Sequence, residues 1–391
     1  MLVNLARLER WFIDRKKAQS SKPVHDVVEN IKQFMNNESD GKRALISFST
    51  YGLAAALKAE KATYFNPGGA CLEMVKVLNE LGYVVDVCDW NDLKVEIHHD
   101  YDIFLGHGAA NFKIIADKLK PETKKMLYLT GCHFESAIEM TDLAYTRVAK
   151  EKDVKRSVFK KPVRVWMDEQ AAMDASDAII CLGNETAKSF KTKIDKPIYP
   201  INNGAYVKDC KITTNGEKGF LYYGGAGNIQ KGLDILISAF SNVPQAHFYI
   251  YGKLEKEVLD HYSEELGRSN IHYIYPIRKF SWANSYIRRK CKFVTLCGFA
   301  TGQSTALIAS TNEGLIPVVN VEADLPQYDY TICIKETTVS GAIIAIRESL
   351  DKSDGWLNEA QIGNQKMFAR YFQPIMYKNS LKKVIKKVCN L

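Results

Sequence analysis

The chain has 391 residues, of which 46% are hydrophobic and 25% are charged, and its formal net charge is +8 at pH 7. This length predicts two domains rather than one. No run approaches the roughly 18–20 apolar residues of a membrane-spanning helix, and the N-terminus lacks the apolar core of a secretory signal. No basic run is interleaved with aromatic residues, so we expect no nucleic-acid partner.

Nine cysteines occur without any C-x-x-C pair. An odd number of cysteines set in or beside apolar runs predicts buried reduced thiols rather than disulfides or zinc ligands. We therefore expect a cytoplasmic protein.

Short apolar runs alternate with helix-length segments from residue 44 onward, after an N-terminal segment, 1–43, that we predict to be helical. Near-continuous apolar strands separated by helices are typical of a parallel sheet covered on both faces. A first domain is predicted over 44–208. Its predicted strands are 44–50, 83–90, 102–108, 125–131, 177–184 and a short one within 196–204.

The same alternation restarts after a polar stretch and predicts a second domain over 209–360. Its strands are predicted at "FLYYGG", "HFYIYGK", "IHYIYPI", "KFVTLCG", "IPVVNV" and "YTICIK". The predicted fold is α/β, with two doubly wound, Rossmann-like domains facing a cleft. Ligands of such sheets bind outside the carboxyl ends of the strands, so the cleft is the expected site.

A glycine-rich turn follows the first strand of the second domain. Gly224, Gly225 and Gly227 precede Lys231 and an amphipathic helix. Glycines after a strand let a diphosphate approach backbone N–H groups, and the helix start adds partial positive charge. Lys231 can donate to phosphate oxygens. The alternative is a purely structural turn with a solvated lysine.

The C-terminal segment has an apolar stripe with lysines opposite, formed by Leu381, Val384, Ile385 and Val388. A basic amphipathic helix can lie on a membrane surface, which would make a peripheral contact at the inner face of a membrane. Such a helix can equally dock its apolar stripe on the protein itself.

The pattern GG-x-G-x-x-x-KG-x-D-x-L-x-x-AF over 224–240 resembles the start of the donor domain in retaining glycosyltransferases of family 4, which have the GT-B architecture. Four further stretches resemble that family: "INNG" at 201–204, "HFYIYGK" at 247–253, "TGQSTALIASTNEGLIPVV" from 301, and "GGACLEMVKVLNELGYVVDV" from 68. The resemblance covers most of residues 44–345.

The resemblance implies a nucleotide diphosphate sugar as donor substrate, retention of configuration, and neither metal nor cofactor. Lys231 would hold the diphosphate, whereas the family's arginine position falls on Gly225 or Ala226. His133 would lie near the transferred sugar. Residues 361–391 would form helices that cross back to the first domain. The predicted acceptor-side residues are Gly68, Gly69 and His107.

The family's two clamp glutamates, eight positions apart, align with Thr301 and Ala309. Losing two charge-assisted hydrogen bonds, each worth about 1.5–3 kcal/mol, would weaken binding of the sugar donor unless other groups compensate. The N–H groups and side chains at the start of the following helix could hold a phosphate. The residues predicted to do so are Gly302, Gln303, Ser304 and Thr305.

The leading hypothesis is a glycosyltransferase that moves a sugar from a nucleotide diphosphate donor to a glycan, polysaccharide or lipid-linked acceptor. The missing arginine and glutamates favour an alternative, a non-catalytic GT-B homologue that binds a glycan or a partner enzyme. A third hypothesis is a nucleotide-sugar epimerase, whose glutamate-rich site and histidines have no counterparts that we can place.

Overall fold

The computed structural model describes residues 27–36, 41–60, 67–159, 168–205, 217–274, 289–299, 302–326 and 329–391. Within these ranges the chain forms one seven-stranded and one six-stranded sheet. All strand pairs are parallel except that between β1 and β3. Two parallel sheets of this kind confirm the predicted α/β class.

The first sheet has the strand order β1-β3-β2-β4-β5-β6-β7. Its strands alternate between two apolar cores: Ile46 faces one, and Leu45 faces the other. The strands are β1 Val28–Ile31, β2 Arg43–Phe48, β3 Val84–Asp89, β4 Ile103–His107, β5 Lys124–Leu129, β6 Ala178–Leu182 and β7 Ile198–Ile201. The helices are α1 Leu53–Lys58, α2 Pro67–Glu80, α3 Phe112–Ala116, α4 Phe134–Glu151, α5 Glu169–Asp174 and α6 Asn184–Lys191.

The helical segment predicted over 1–43 is wrong where the structure describes it. Strand β1 pairs antiparallel with β3 at the edge of the first sheet, and β2 already begins at Arg43. The N–H of Asn30 donates to Asp86 Oδ1 at 2.6 Å, which fixes the edge strand to β3. Residues 1–26 and 37–40 of that segment lie outside the described residues.

The second sheet has the order β10-β9-β8-β11-β12-β13. Successive strands are added towards one edge from β8 to β10 and towards the other edge from β11 to β13, so the strand order reverses between β8 and β11. The strands are β8 Gly219–Tyr223, β9 Phe248–Tyr251, β10 Ile271–Ile274, β11 Cys291–Leu296, β12 Ile316–Val319 and β13 Ile332–Cys333. The helices are α7 Leu233–Ser241, α8 Lys256–His261, α9 Ser263–Leu266, α10 Thr305–Asn312 and α11 Val339–Asp351.

Two C-terminal helices, α12 (Asp354–Tyr371) and α13 (Pro374–Cys389), join the domains. Helix α12 packs on α10 of the second domain, and α13 packs on α2 of the first. Leu381, Val384 and Ile385 are buried in the first domain's core. The apolar stripe of α13 is therefore covered by the protein itself, and the membrane contact expected from it has no support in the structure. Among the described residues, no helix is long and apolar enough to cross a membrane.

Candidate active site

The loops that follow β8 and β11 meet at the point where the strand order of the second sheet reverses. The N–H of Phe299, after β11, donates to the carbonyl of Gln230, after β8, at 2.7 Å. Gly232 packs directly on the carbonyl of Cys297. In a doubly wound sheet this crevice is the usual ligand site. The glycine-rich turn, residues 224–232, thus lies where doubly wound sheets usually bind their ligands.

The N–H groups of the glycine-rich turn bind the protein's own carboxylate. Gly227 N–H donates to Glu255 Oε1 at 2.7 Å, and Asn228 N–H donates to Oε2 at 2.9 Å. The N–H of Glu255 donates in return to Asn228 Oδ1 at 2.7 Å. A carboxylate offers two anionic oxygens to such N–H groups, as a phosphate does. Glu255 therefore occupies the two N–H groups of the turn that an anion could otherwise bind.

Lys231 is folded back over the same turn. Its Nζ donates to the carbonyl of Ala226 at 2.7 Å. Burial lowers the pKa of Lys231, and the charge of Glu255 offsets part of that effect. The lysine that we predicted to hold the diphosphate is thus at the turn, with a carbonyl as its present acceptor.

An arginine from the first domain reaches the start of α7. Arg147, on α4, pairs with Asp234 in the first turn of α7 and with Glu151 at 3.0 Å. Its guanidinium lies 5.9 Å from the centre of the Phe299 ring. Burial raises the pKa of Asp234 to about 6, although the charge of Arg147 lowers it. A guanidinium therefore stands beside this crevice, next to a turn that contains no arginine of its own.

Helix α4 reaches this position because it belongs to both domains. Its N-terminus is fixed to α6, since the N–H of His133 donates to Ser189 Oγ at 2.9 Å. Its C-terminal half contributes Ala144, Val148 and Ala149 to the core of the second domain. The sequence shows only an amphipathic helix here, so Arg147 could not be recognised as a site residue.

The side chains predicted to hold phosphate before α10 contact Asn202 and Asn203, which begin the linker between β7 and β8. Gln303 accepts from Asn203 N–H at 2.7 Å and donates to Asn202 Oδ1 and to the carbonyl of Asp324, each at 2.9 Å. Thr305 Oγ1 accepts from Asn203 Nδ2 at 3.0 Å. These two side chains therefore position the linker and do not point to a ligand.

Ser304 caps α10, since its Oγ accepts from Leu307 N–H at 3.4 Å. The first N–H groups of a helix have no partner within it, and in the described part of the chain those of Thr305 and Ala306 remain for an anion. Gly302, with a φ of 59°, packs close to the first domain. Thr301 lies outside the described residues.

His133 is buried at the N-terminus of α4. It is 2% exposed and caps α4, with Nδ1 accepting from Glu135 N–H at 3.3 Å. Its ring stacks on Phe134 with centroids 4.6 Å apart. A histidine that follows a strand can be a site residue or a helix cap, and here the capping position explains its burial. A role of His133 near the transferred sugar stays a prediction.

The predicted acceptor-side residues are placed in two different ways. Gly68 and Gly69 lie in the first turn of α2, which begins at Pro67, rather than in a loop before it. Proline favours the first position of a helix, so it draws the glycines into the helix. His107 ends β4 at the carboxyl edge of the first sheet, with its ring 4.7 Å from that of Phe48. Because α2 leads directly into the parallel strand β3, its first turn lies at the same carboxyl edge as His107.

The sequence matches no protein-family model and no curated protein. Solved structures nevertheless share its fold. Sucrose-phosphate synthase from Thermosynechococcus elongatus has a TM-score of 0.62 and 11% identity, over 89% of this chain and 99% of its own. S. aureus TarM, solved in complex with Fondaparinux, alpha-GlcNAc-glycerol and UDP, has a TM-score of 0.54 and 13% identity, over 74% of this chain and 55% of its own.

The N-terminal domain of Candida albicans trehalose-6-phosphate phosphatase is also similar, with a TM-score of 0.51 and 10% identity over 75% of this chain and 71% of its own. These likenesses, together with the two parallel sheets and the crevice between β8 and β11, define the class. The chain has the GT-B fold, with two Rossmann-like domains, that glycosyltransferases such as the first two of these structures adopt.

Proposed function

We propose that the chain is a glycosyltransferase that moves a sugar from a nucleotide diphosphate donor to a glycan, polysaccharide or lipid-linked acceptor. The observation that carries the proposal is the meeting of the glycine-rich turn, which contains Lys231, with the loop after β11 at the crevice of a GT-B fold. TarM was solved with UDP, and a UDP-type donor fits the same architecture.

The proposed chemistry is a retaining transfer of the family 4 type that needs no metal. Its main requirement is stabilisation of the charge on the departing diphosphate, which is electrostatic work done by preorganised groups. Lys231 and the N–H groups of Thr305 and Ala306 would supply that stabilisation.

A second candidate is a non-catalytic GT-B homologue that binds a glycan or a partner enzyme. Glu255 favours it, because its carboxylate already holds the two N–H groups that a phosphate would need. Ala309 favours it too, since it offers no side-chain hydrogen bond where the family has a glutamate. Nucleotide binding distinguishes the two candidates.

If the transferase proposal holds, Lys231→Ala should abolish turnover and weaken nucleotide binding, because the alanine removes the only lysine of the turn. We would measure thermal shifts and sugar release with UDP-, GDP- and ADP-sugars. A ligand at 100 times its Kd stabilises the native state by about 2.7 kcal/mol. The matched control is Lys256→Ala, whose ammonium is exposed on α8. No shift with any of these nucleotides at millimolar concentration would exclude the transferase.

Glu255→Gln should increase nucleotide affinity about ten- to hundredfold if the turn binds a diphosphate. The substitution removes a charge-assisted acceptor worth about 1.5–3 kcal/mol, and each 1.4 kcal/mol corresponds to a factor of ten in Kd. Isothermal titration with UDP and GDP would measure the change. Glu257→Gln, two residues along, is the control. An unchanged or lower affinity would place the diphosphate elsewhere and favour the non-catalytic candidate.

A further inference from the structure

Helix α6 of the first domain is capped by a residue of the second domain. Its own cap position is Gly183, which has no side chain to bond the first N–H groups of the helix. The carboxylate of Asp324 takes that role: Asn184 N–H donates to Oδ1 and Thr186 N–H donates to Oδ2, each at 3.0 Å. A carboxylate at a helix N-terminus is favoured by such hydrogen bonds and by the helix dipole. The cap therefore joins the two domains through a charge-assisted contact.

The backbone on both sides of this contact has an uncommon conformation. Asp324 is 6% exposed and has a left-handed backbone with a φ of 52°. Gly183 has a φ of 97°, and a Cβ there would lie 2.0 Å from Asp324 Oδ2. A side chain at position 183 and the carboxylate of Asp324 could not share this space. A left-handed backbone at a residue other than glycine costs free energy, so the surrounding structure must hold it in place.

The backbone of Asp324 is fixed to the second domain. Its N–H donates to the carbonyl of Val321 at 3.0 Å. Asn320, just before that residue, donates from Nδ2 to the carbonyl of Gly298 at 2.8 Å. The carbonyl of Asp324 accepts from Gln303 Nε2 at 2.9 Å, in the loop that leads into α10. Asp324 therefore connects the start of α6 to the loop before α10.

The same contact lies beside the chain connections between the domains. Gln303, which donates to Asp324, also accepts from the N–H of Asn203 in the linker between β7 and β8, at 2.7 Å. Leu325, next to Asp324, packs on a small core formed by Ala205, Ile308, Phe368 and Phe372. That core includes the linker and the junction between α12 and α13. At such a hinge, a small change in contacts produces a larger displacement across the cleft.

We infer that Asp324 is a positioning residue that sets the angle between the two domains. Its carboxylate holds the start of α6 to the loop before α10, so the first domain and the start of α10 keep one relative position. The angle is a property of the fold, whereas its effect on sugar transfer rests on the proposed function. In the transferase, it would fix the carboxyl edge of the first sheet relative to the N–H groups of Thr305 and Ala306.

Asp324→Asn is the test variant. Asparagine has the same shape and tolerates a left-handed backbone, but it replaces one carboxylate oxygen by an NH2 group that cannot accept from an N–H. Spin labels on unnatural amino acids at the exposed Lys113 of α3 and Lys256 of α8 would report the interdomain distance by pulsed electron paramagnetic resonance. We expect the mean distance to shift by more than about 2 Å. Hydrogen exchange at Asn184 or Thr186 should become roughly tenfold faster.

Glu185→Gln is the matched control on the same helix turn. The Glu185 carboxylate pairs with Lys188 Nζ at 2.6 Å, so its loss should leave the interdomain distance unchanged. Gly183→Ala is a second test variant, because its Cβ would displace the carboxylate of Asp324. It should shift the distance as Asp324→Asn does, while circular dichroism shows that both variants remain folded.

A kinetic readout separates positioning from a loss of stability. If the proposed function holds, Asp324→Asn should lower kcat about tenfold and change the Kd of UDP by less than about twofold, since transfer needs both domains in register. An unchanged interdomain distance in Asp324→Asn, an equal shift in Glu185→Gln, or an unchanged kcat would overturn the inference. Failure of the unsubstituted protein to bind nucleotides would exclude the transferase alone, because the distance measurement needs no nucleotide.

Discussion

Replacing Arg147 by methionine should lower the free energy of unfolding by about 3–5 kcal/mol at pH 8, since it leaves a buried carboxylate without its counter-charge. Asp234 has no solvent exposure, and its Oδ1 already lacks a partner among the described residues. Urea unfolding followed by circular dichroism would measure the loss.

The effect of this substitution should depend on pH. The pKa of Asp234 in the folded protein, about 6, is above its ordinary value of 3.8, and loss of Arg147 raises it further. A carboxyl with a raised folded pKa favours the folded state below its unfolded pKa, and this contribution is lost as the pH rises through the folded value. The destabilisation should therefore be smaller at pH 5 than at pH 8.

Two controls separate charge from packing. Arg147→Lys keeps a cation near Asp234 and should cost less than the methionine variant. Asp234→Asn, added to Arg147→Met, removes the unpaired charge and should restore part of the stability. A loss below about 1 kcal/mol at pH 8, without pH dependence, would mean that the ion pair does not hold α4 to the second domain.

Gly232→Ala should destabilise the second domain by about 2–5 kcal/mol. This range is the sum of about 1–2 kcal/mol for a left-handed backbone at alanine and about 1–3 kcal/mol for overpacking. Gly232 has a φ of 67°, and a Cβ there would lie 1.7 Å from the carbonyl oxygen of Cys297. The carbonyl of Cys297 belongs to the backbone, so it cannot move aside as a flexible side chain could. We expect the melting temperature to fall by roughly 5–15 °C.

Gly225→Ala is the matched control in the same turn. A Cβ at Gly225 would meet no atom within 4 Å, and its φ is not positive. Its melting temperature should stay close to that of the unsubstituted protein, within about 0.5 kcal/mol of stability. Equal losses at the two glycines would show that the contact between the turn and the loop after β11 is not tight.

The sheets could be predicted from the sequence because their signal is local. Each buried strand is an apolar run of four to six residues, such as Ala178–Leu182 or Cys291–Leu296, followed by a turn and a helix. Strand β1 was missed because an edge strand buries little: of its four residues only Ile31 is buried. The glycine-rich turn was also local, and its place after β8 followed from its spacing.

The contacts that decide how the site is used could not be predicted in the same way. Glu255 lies 28 residues from Gly227, and Arg147 lies 87 residues from Asp234. In the sequence the first resembles a solvated glutamate at a helix start, and the second a surface arginine on an amphipathic helix. His133 shows the converse, because a histidine after a strand has the same pattern whether it caps a helix or binds a substrate.

Helix α4 also limits how the two halves of this chain can be exchanged in evolution or in the laboratory. A fragment that begins at residue 217 would lack Ala144, Val148 and Ala149 and would expose the apolar surface that they cover. Recombination at the linker between β7 and β8 would join a helix from one parent to a core from another. Functional chimaeras should therefore require that α4 is inherited together with α7 and α9. Arg147 of α4 pairs with Asp234 on α7, and Lys152, directly after α4, pairs with Glu265 on α9.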